Sequence, residues 1–585
     1  MSDGNPSGEG SASKDNKPGA VAAPPPAGPP KAPPKNPGMV TFTVDGREVV
    51  VKPGTNMIEA AKQVGSEIPY YCYHPRLSIA ANCRMCLVEV SPGPPKLVPA
   101  CQTAIGEGQV VKTTTPRVRE QQRAVMEYLL LHHPVDCAIC DQAGECKLQD
   151  YYMRYDYRPS RLEGPKILRD KRKVLGPQVV LDQERCVLCT RCVRFMAEVA
   201  KEPQLGVFSR GAHEVIDVFP GGSLDSNYSG NTVDICPVGA LLNRDFRFRA
   251  RAWFLSAAPS VCTGCSRGCS TFVDFFGQDT YRYRPRENER INKSWMCDQG
   301  RLSYKYLNTA RVLRAFEARG VDRREISREA ALKRAADRLQ PLVESGGLAV
   351  LASPLASNED LLAGLSFARD TLGVSAVYVG GRPDGEGDDF LMTPDKNPNR
   401  RGLEWIAKGM LLQLRPFDQL VGALRDGRVK ALYAIGTEVP ARPAAFADML
   451  RGLDLFVAQA TNEDPITGEA HVLLPAAVHT EEEGSFVNLD GIVQRFRKAY
   501  PPRGESQPHW KWAADLLRAF GKVASYASSR DVFLELAPRV PELASFAWDK
   551  EAALGTPTGI DTLPAAADGR PPGYREFGVP RVRGI

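Results

Sequence analysis

The distribution of cysteine is the feature that most constrains this chain. All fifteen cysteines lie between Cys72 and Cys297, and the rest of the 585-residue chain contains none. Clustered cysteines in a chain without a secretory signal favour metal or redox chemistry over disulfides. Fifteen is also one short of the sixteen ligands that four clusters with four ligands each require. The first half is therefore predicted to bind metal centres.

Length and composition favour a soluble protein of several domains. A chain of 585 residues exceeds the size of one hydrophobic core, and its 43% apolar and 25% charged residues are ordinary values for a globular protein. It has no long apolar run, and its start, "MSDGNPSGEGSASK", has no apolar signal core, so we expect a cytoplasmic protein. The net charge of +6 is too mild to indicate nucleic-acid binding. Residues 1–38, rich in Pro, Gly, Ala and Ser, are predicted to be disordered.

The first ligand set follows a hairpin and a helix. "MVTFTVDGREVVVKPG" alternates around Asp45 and Gly46, and "TNMIEAAKQVG" has Thr55 or Asn56 as its N-cap. This order is typical of a small β-grasp ferredoxin. The central C-x2-C pair suits a [2Fe–2S] cluster, and a zinc site is the alternative. The predicted ligands are Cys72, Cys83, Cys86 and Cys101.

The second set has three cysteines and needs a fourth ligand. A helix is predicted from an N-cap at Thr115, with Pro116 in its first turn, to a point before Pro134. The end of this helix leaves His132 and His133 beside the cysteine loop. A neutral imidazole there can replace a cysteine thiolate as the fourth cluster ligand. His133 is therefore the predicted ligand. The cysteines of this set are Cys137, Cys140 and Cys146.

Two further sets complete the pattern. "CVLCTRC" followed by "CPVGAL" is a bacterial ferredoxin run with an expanded last gap, which predicts a [4Fe–4S] cluster. Its ligands are Cys186, Cys189, Cys192 and Cys236. The fourth set also suits a [4Fe–4S] cluster, with a zinc ribbon as the alternative. It consists of Cys262, Cys265, Cys269 and Cys297.

The cysteine-free half has the pattern of a layered α/β domain. Buried strands such as "GGLAVLASP", "VSAVYVGG" and "VKALYAIGTE" alternate with helical stretches such as "NEDLLAGLSFARDTLG" and "FDQLVGALRDG". "GRPDGEGDDF" lacks the spacing of a dinucleotide-binding loop. His479 and the run Glu481 to Glu483 are predicted to form a surface turn. The basic stretches "RYDYRPSRLEGPKILRDKRK" and "RDFRFRAR" are expected on solvated or partner-binding faces and are candidates for offsetting cluster charge.

Taken in order, these motifs carry a family resemblance. "IPYYCYHPRLSIAANCRMCLVEV", "HHPVDCAICDQAGECKLQD", "CVLCTRCVRF" with "DICPVGAL", and "CTGCSRGCS" with "MCDQG" resemble the large iron–sulfur subunit of bacterial respiratory complex I, the proton-pumping NADH:quinone oxidoreductase. The resemblance implies that His133 rather than His132 is the ligand. It also implies one [2Fe–2S] and three [4Fe–4S] clusters.

The second half is similar to molybdopterin oxidoreductases in "AHVLLPAAVHTEEEGSFVNLDGIVQRF". Such enzymes commonly bind the metal through a cysteine or selenocysteine, which this half lacks, so no molybdenum cofactor is expected. The resemblance implies a multidomain α/β and α+β fold with these parts: 1–38 disordered tail, 39–114 β-grasp [2Fe–2S] ferredoxin-type domain, 115–158 His/Cys3 [4Fe–4S] domain, 159–258 [4Fe–4S] ferredoxin-like domain, 259–315 fourth [4Fe–4S] domain, 316–525 truncated, degenerate molybdopterin-oxidoreductase-like domain, and 526–585 C-terminal extension.

The resemblance implies a one-electron relay on the cytoplasmic side of the bacterial inner membrane. Electrons are expected to arrive at the [2Fe–2S] centre from an NADH/FMN flavoprotein subunit. They are then expected to pass to the Cys186 cluster, to the His133 cluster and finally to a quinone-side iron–sulfur subunit. A small [2Fe–2S] subunit is a further expected partner, and the Cys262 cluster is expected off this line. The alternatives are the α subunit of an NAD-linked formate dehydrogenase, an iron-only hydrogenase and a zinc-stabilised interaction protein.

Overall fold

The structure is a computed structural model that describes residues 38–94, 96–156 and 158–549. The chain divides into two compact units. The first consists of the described residues up to Glu67 together with Val88–Thr113, and the second of Ile68–Leu87 together with the described residues from Thr114 onward. The predicted N-terminal tail, apart from Gly38, and the predicted C-terminal extension beyond residue 549 lie outside the described residues.

The first unit is a mixed five-stranded sheet with one helix. Asp45 and Gly46, with φ of 48° and 82°, close the first hairpin, so this predicted turn is confirmed. Asn56 caps the helix by accepting from the Ile58 N–H, which decides between the two predicted N-caps. In the order β2-β1-β5-β3-β4, the strands are β1 (Val40–Val44), β2 (Arg47–Val51), β3 (Leu87–Ser91), β4 (Val98–Pro99) and β5 (Val110–Lys112), and the helix is α1 (Met57–Gln63).

The second unit begins with short elements around the cysteine loops. Helix α2 (Pro116–Leu131) is capped by the Thr115 side chain and has His132 as its C-cap, so it ends before Pro134 as predicted. The strands of this part are β6 (Lys173–Val174), β7 (Val179–Leu181), β8 (Leu205–Phe208), β9 (Val215–Val218), β10 (Leu241–Asn243), β11 (Ser256–Val261), β12 (Ser270–Phe276) and β13 (Asp279–Pro285). The helices are α3 (Lys147–Tyr151), α4 (Arg191–Glu198), α5 (Gly230–Asp234) and α6 (Asp298–Leu302).

The cysteine-free part is built on an eight-stranded sheet in the order β15-β14-β21-β20-β19-β16-β17-β18. Its strands are β14 (Ala315–Glu317), β15 (Arg324–Ile326), β16 (Leu348–Ala352), β17 (Ala376–Val379), β18 (Gln413–Arg415), β19 (Ala431–Ile435), β20 (Leu455–Ala460) and β21 (Val472–Pro475), and β22 (Gly484–Val487) pairs with β23 (Val493–Phe496). The helices are α7 (Arg328–Leu339), α8 (Leu342–Ser345), α9 (Asn358–Asp370), α10 (Arg400–Gly409), α11 (Phe417–Arg425), α12 (Pro443–Leu450), α13 (His509–Ala519), α14 (Ser529–Leu536) and α15 (Pro541–Ala544).

Apolar cores cover both faces of this sheet. Strands β16 to β21 pair in parallel, whereas β14 and β15 add an antiparallel edge. Along β16, Val350 and Ala352 pack into one core while Ala349 and Leu351 pack into the other. Parallel strands buried on both faces read as continuous apolar runs, which is why this half was predictable. The mixed α/β architecture with several sheets confirms the predicted fold class. No helix in the described ranges is long and apolar enough to cross a membrane.

Candidate metal centres

The four cysteines of the fourth predicted set surround one buried cavity. Cys262, Cys265, Cys269 and Cys297 line it together, and each is 5–7% exposed. Cys262 follows β11 and Cys269 precedes β12, and the Cys262 N–H donates to the Cys269 carbonyl at 2.8 Å. Burial raises the pKa of Cys262 to about 12 and that of Cys297 to about 11. Iron that binds these thiols must therefore displace their protons.

Backbone N–H groups and glycines shape this cavity. The Gly264 N–H donates to Cys262 Sγ at 3.4 Å, and the Gly300 N–H donates to Cys297 Sγ at 3.2 Å. A Cβ on Gly300 would lie 3.1 Å from Cys262 Sγ and 3.2 Å from Cys297 Sγ. Hydrogen bonds to sulfur tune cluster potentials. The cavity is therefore suited to sulfur ligands of a cluster.

A strand from far along the chain supports the fourth set. Gln494 of β23 donates to the Gly268 carbonyl at 2.7 Å and accepts from Ser270 Oγ at 2.9 Å. Both partners flank Cys269, so the side chain of Gln494 holds one ligand loop in place. No local sequence pattern indicated this contact.

The third set lines a second cavity. Cys186, Cys189, Cys192 and Cys236 surround it, among the apolar side chains of Leu181, Ile216, Val238 and Leu241. Within the "CVLCTRC" loop, Leu188 and Thr190 adopt φ of 50° and 59°. Non-glycine residues rarely adopt this conformation, so the surrounding structure imposes the turn that gathers the cysteines.

The third and fourth sets each place four thiols around one cavity. Across the described part of the chain, no three His, Cys, Asp or Glu side chains are placed to share a single metal ion. In a four-iron cluster each ligand binds its own iron, so the ligands surround a space. Cysteine thiols around a cavity fit such a group.

The residues of the second set lie after the end of α2, with His133 next to the helix C-cap and the cysteines in the segment that follows. Cys140 and Cys146 are buried, and burial raises the pKa of Cys146 to about 12. His133 Nδ1 accepts from the Val135 N–H at 3.0 Å, and the Lys166 ammonium donates to the His133 carbonyl. Burial lowers the pKa of His133 to about 4, so its ring is neutral at pH 7, the form that binds metal.

The loops of the second and third sets are in direct contact. Cys146 Sγ lies 4.0 Å from the carbonyl oxygen of Pro237, the residue after Cys236. A Cβ on Gly239 would lie 2.2 Å from Cys140 Sγ, so only glycine fits there.

An ion pair formed by Arg185 links the loops of the second and third sets. The Arg185 guanidinium donates to both carboxylate oxygens of Asp136 at 2.8 and 2.7 Å. Burial raises the pKa of Asp136, but the bond from Arg185 outweighs it, and the pKa falls to about 2. Asp136 precedes Cys137 and Arg185 precedes Cys186, so one ion pair links the two ligand loops.

The first predicted set is divided between the two units. In the second unit Cys72 is hydrogen-bonded to Cys83, which lowers the pKa of Cys72 and raises that of Cys83. Cys86 is buried in the same unit. Cys101 belongs to the first unit, where its carbonyl accepts from the Asn56 amide.

Sequence reasoning missed several arginines next to the cysteines. Sequence reasoning assigned charge compensation to two basic stretches. Arg251, at the end of the second stretch, does contact a ligand loop and donates to the carbonyls of Cys140 at 3.0 Å and Cys137 at 3.1 Å. Arg185, Arg191 and Arg194 were not considered, although they lie within or beside the "CVLCTRC" run. Their position between the ligands was the available signal.

The predicted surface turn at His479 is wrong. His479, Glu481 and Glu482 are buried, and only Glu483 is exposed. His479 Nε2 lies 3.2 Å from the Tyr283 hydroxyl, and its Nδ1 lies 3.2 Å from the Tyr306 hydroxyl. Glu481 is buried because Arg311 pairs with both of its carboxylate oxygens, at 2.9 and 2.8 Å.

Comparison with known families identifies the class of domain. Residues 38–116 match a 2Fe-2S iron-sulfur cluster binding domain, 122–161 an NADH-ubiquinone oxidoreductase-G iron-sulfur binding region, 176–242 an NADH-quinone oxidoreductase subunit 3 ferredoxin-like domain, and 325–519 a molybdopterin oxidoreductase. The chain thus carries domains for [2Fe–2S] and [4Fe–4S] binding.

Curated homologues at about 40% identity are the G subunits of NADH-quinone oxidoreductases, and the iron–sulfur domains are characteristic of these subunits. The chain is 39% identical to that of Rickettsia conorii over 55% of this chain and 47% of the relative, and 40% identical to that of Streptomyces coelicolor over 60% and 42%. It is 42% identical to the mitochondrial NADH-ubiquinone oxidoreductase 78 kDa subunit of Neurospora crassa, over 47% of this chain and 37% of the relative. The resemblance predicted from the motifs is confirmed.

The chain spans about half the length of the curated relatives it matches. One solved structure, an NAD+-reducing [NiFe]-hydrogenase in the H2-reduced state, is 27% identical, with a TM-score of 0.33 over 36% of this chain and 90% of that chain.

Proposed function

We propose that this chain is an electron-transfer subunit of a proton-pumping NADH:quinone oxidoreductase and relays single electrons toward quinone. One observation carries this proposal. The carbonyl oxygen of Pro237, the residue after Cys236, lies 4.0 Å from Cys146 Sγ, so the ligand loops of two predicted clusters are in contact. Centres on touching loops suit electron transfer within one chain. Oxidation of NADH and reduction of quinone are assigned to partner subunits.

The proposed cofactors are one [2Fe–2S] and three [4Fe–4S] clusters, with no molybdenum centre. The absence of cysteine from residues 325–519 supports the last point, although this segment matches a molybdopterin oxidoreductase. The proposed ligands are Cys72, Cys83, Cys86 and Cys101 for [2Fe–2S], and His133, Cys137, Cys140 and Cys146, then Cys186, Cys189, Cys192 and Cys236, then Cys262, Cys265, Cys269 and Cys297 for the three [4Fe–4S] clusters.

When bound, the clusters supply one-electron oxidation and reduction. The chain's own residues set the conditions for it. Thiolates and the His133 imidazole bind iron, N–H groups such as those of Gly264 and Gly300 donate to sulfur, and apolar side chains exclude water. Arg185 and Arg251 place positive charge beside the ligand loops.

The proposed partners are an NADH/FMN-binding flavoprotein subunit, a small [2Fe–2S] subunit and a quinone-side iron–sulfur subunit. The proposed order of the centres is the Cys72 set, the Cys186 set and then the His133 set, with the Cys262 set off this line. The contact between Pro237 and Cys146 supports the second of these steps. The proposed location is the cytoplasmic side of the bacterial inner membrane, in a peripheral arm.

Metal analysis of the purified full-length chain tests this function. One two-iron and three four-iron clusters require about fourteen irons per chain, with matching acid-labile sulfide. Electron paramagnetic resonance (EPR) of the reduced chain is expected to resolve one [2Fe–2S] signal and [4Fe–4S] signals. A colourless chain with stoichiometric zinc would contradict the proposal, and molybdenum in the chain would contradict its cofactor part.

A further inference from the structure

Two arginines on the first turns of α4 join the ligand loops of the first and third sets. The Arg194 guanidinium donates to the Cys72 carbonyl at 2.6 Å and to the Cys189 carbonyl at 3.1 Å. The Arg191 guanidinium donates to the Tyr73 carbonyl and, at 3.0 Å, to the Ile235 carbonyl. Each arginine thus binds one residue of the Cys72–Tyr73 pair and one residue in a loop of the third set.

The geometry of the helix explains this arrangement. Arg191 and Arg194 are three residues apart, so their side chains lie on the same face of α4. Cys192 lies between them on the chain and lines the third-set cavity. A rigid element therefore carries both a ligand and the two contacts to the neighbouring loop. The planar fork of a guanidinium can bind two carbonyls at once, which a lysine ammonium cannot do in a fixed plane.

The charge of these arginines has no carboxylate partner within the described ranges. Arg191 is 4% exposed, its Nε has no hydrogen-bond partner there, and the described hydrogen bonds of Arg191 and Arg194 go to backbone carbonyls and the Thr190 hydroxyl, not to a carboxylate. An uncompensated buried charge is strongly destabilising, so a buried cation favours an anionic neighbour. Cys189 and Cys236 are within electrostatic reach of Arg191, and a cluster bound to their sulfurs would supply the negative charge.

We propose that Arg191 and Arg194 form a clamp that fixes the spacing between the Cys72 centre and the Cys186 centre and stabilises the reduced form of both. This inference rests on the proposed function, because it assigns the clamp a counter-charge on bound clusters. Both arginines are positioning residues. Reduction adds one electron to a centre, with no bond formed or broken, and the fixed positive charge favours the added negative charge.

The test is a dithionite titration of the full-length, cluster-loaded chain followed by EPR. Arg191→Gln and Arg194→Gln remove the charge and are expected to lower the equilibrium constant for reduction of the Cys72 and Cys186 centres about tenfold, which is about 59 mV for a one-electron couple. Arg191→Lys and Arg194→Lys keep the charge and are expected to retain the potentials. They lose the bidentate fork, so the magnetic interaction between the two reduced centres is expected to change.

Two controls accompany the titration. The Cys262 centre in the same sample is expected to keep its potential, because the clamp's hydrogen bonds go to loops of the first and third sets. Arg123→Gln removes an arginine that is paired with Glu120 on α2, with its side chain 48% exposed, and is expected to change neither potential nor interaction.

The outcomes separate the clamp from the proposed function. A wild-type chain without iron–sulfur signals contradicts the function itself. If wild type has the signals and the glutamine variants keep both potentials, the clamp is wrong. Where a glutamine variant assembles no cluster, the lysine variants decide, because an unchanged magnetic interaction in them also overturns the clamp.

Discussion

His132 and His133 are neighbours in sequence at the end of α2 but have different surroundings. His133 Nδ1 accepts from the Val135 N–H at 3.0 Å and its ring is held neutral by burial. His132 Nδ1 faces the Ile167 N–H at 3.4 Å. Only His133 has the position that the family resemblance implies for a ligand, four residues before Cys137.

Replacing each histidine separately tests this assignment. His133→Ala is expected to perturb or abolish one [4Fe–4S] signal, because the cluster loses a ligand, whereas His132→Ala is expected to leave the signals nearly unchanged. His133→Cys adds a negative thiolate and is expected to lower the potential of that cluster. EPR of the reduced chain is the measurement. A signal that survives His133→Ala with nitrogen hyperfine coupling intact contradicts the assignment.

His479 makes the free energy of unfolding depend on pH. Burial, aided by the charges of Arg382 and Arg311, lowers its pKa to about 3. Near pH 7 the ring is neutral in both the folded and the unfolded chain. As the pH falls below about 6.5, the unfolded chain takes up a proton that the folded chain does not, so stability is lost at up to about 1.4 kcal/mol per pH unit.

We therefore expect His479→Gln to lose less stability than wild type between about pH 6.5 and pH 5, which urea unfolding at each pH measures. At about pH 7.5 the variant is expected to be less stable, because the contacts with the Tyr283 and Tyr306 hydroxyls change. The control is His213→Gln, since His213 is exposed. Equal pH slopes for wild type and His479→Gln would contradict this account.

At the scale of elements, the close contact between the second and third ligand loops depends on Gly239. A methyl group there would lie 2.2 Å from Cys140 Sγ and 3.0 Å from Gln142 Cβ, so the loops must separate to admit it. Gly239→Ala is expected to change the EPR signals of the His133 and Cys186 centres together and leave the Cys262 centre unchanged.

Gly422→Ala on α11 is the matched control, since no described atom outside the helix's own backbone and the adjacent residues lies within 4 Å of the added Cβ. It is expected to leave every cluster signal unchanged and to stabilise α11 slightly, because alanine has the higher helix propensity. Wild-type signals from Gly239→Ala would show that the loops do not need this contact.

Local patterns predicted the elements that depend on local contacts. The hairpin at Asp45, the capped helix α2 and the alternation of strands and helices in the second half all follow from nearby residues. The spacing of the cysteines also predicted the third and fourth sets, and in each of them the four cysteines line one cavity. Iron binding at these cavities stays a prediction. The surface turn at His479 was wrong because its hydroxyl partners lie 196 and 173 residues away in the chain. Such contacts leave no local signal.

At the scale of the whole molecule, the region of the cysteine loops and the region of the eight-stranded sheet have cores of different composition. The apolar core around the cysteine loops includes Cys72, Cys146, Cys189, Cys262 and Cys297 among its members. The two cores on the faces of the eight-stranded sheet contain no cysteine among their described residues. We therefore expect metal binding to be coupled to folding in the first region and not in the second.

Removal of the clusters from the intact chain tests this difference. Treatment with a chelator and oxidant is expected to reduce amide protection from hydrogen exchange in β11, β12 and α6, and to leave β16, β19 and β20 protected. Hydrogen exchange followed by mass spectrometry measures both in one sample. Equal loss of protection in the sheet would show that its stability depends on the clusters.

The bond from Gln494 to the loop around Cys269 has a consequence for synthesis of the chain. This residue follows Cys297 by roughly 200 residues, which a ribosome needs about 10–40 s to add. During that interval the nascent chain already displays all four cysteines of the fourth set, while the strand that steadies their loop does not yet exist. Iron delivery to this set is thus expected to have a time window before the loop is locked, and a pause in translation ahead of β23 would lengthen it.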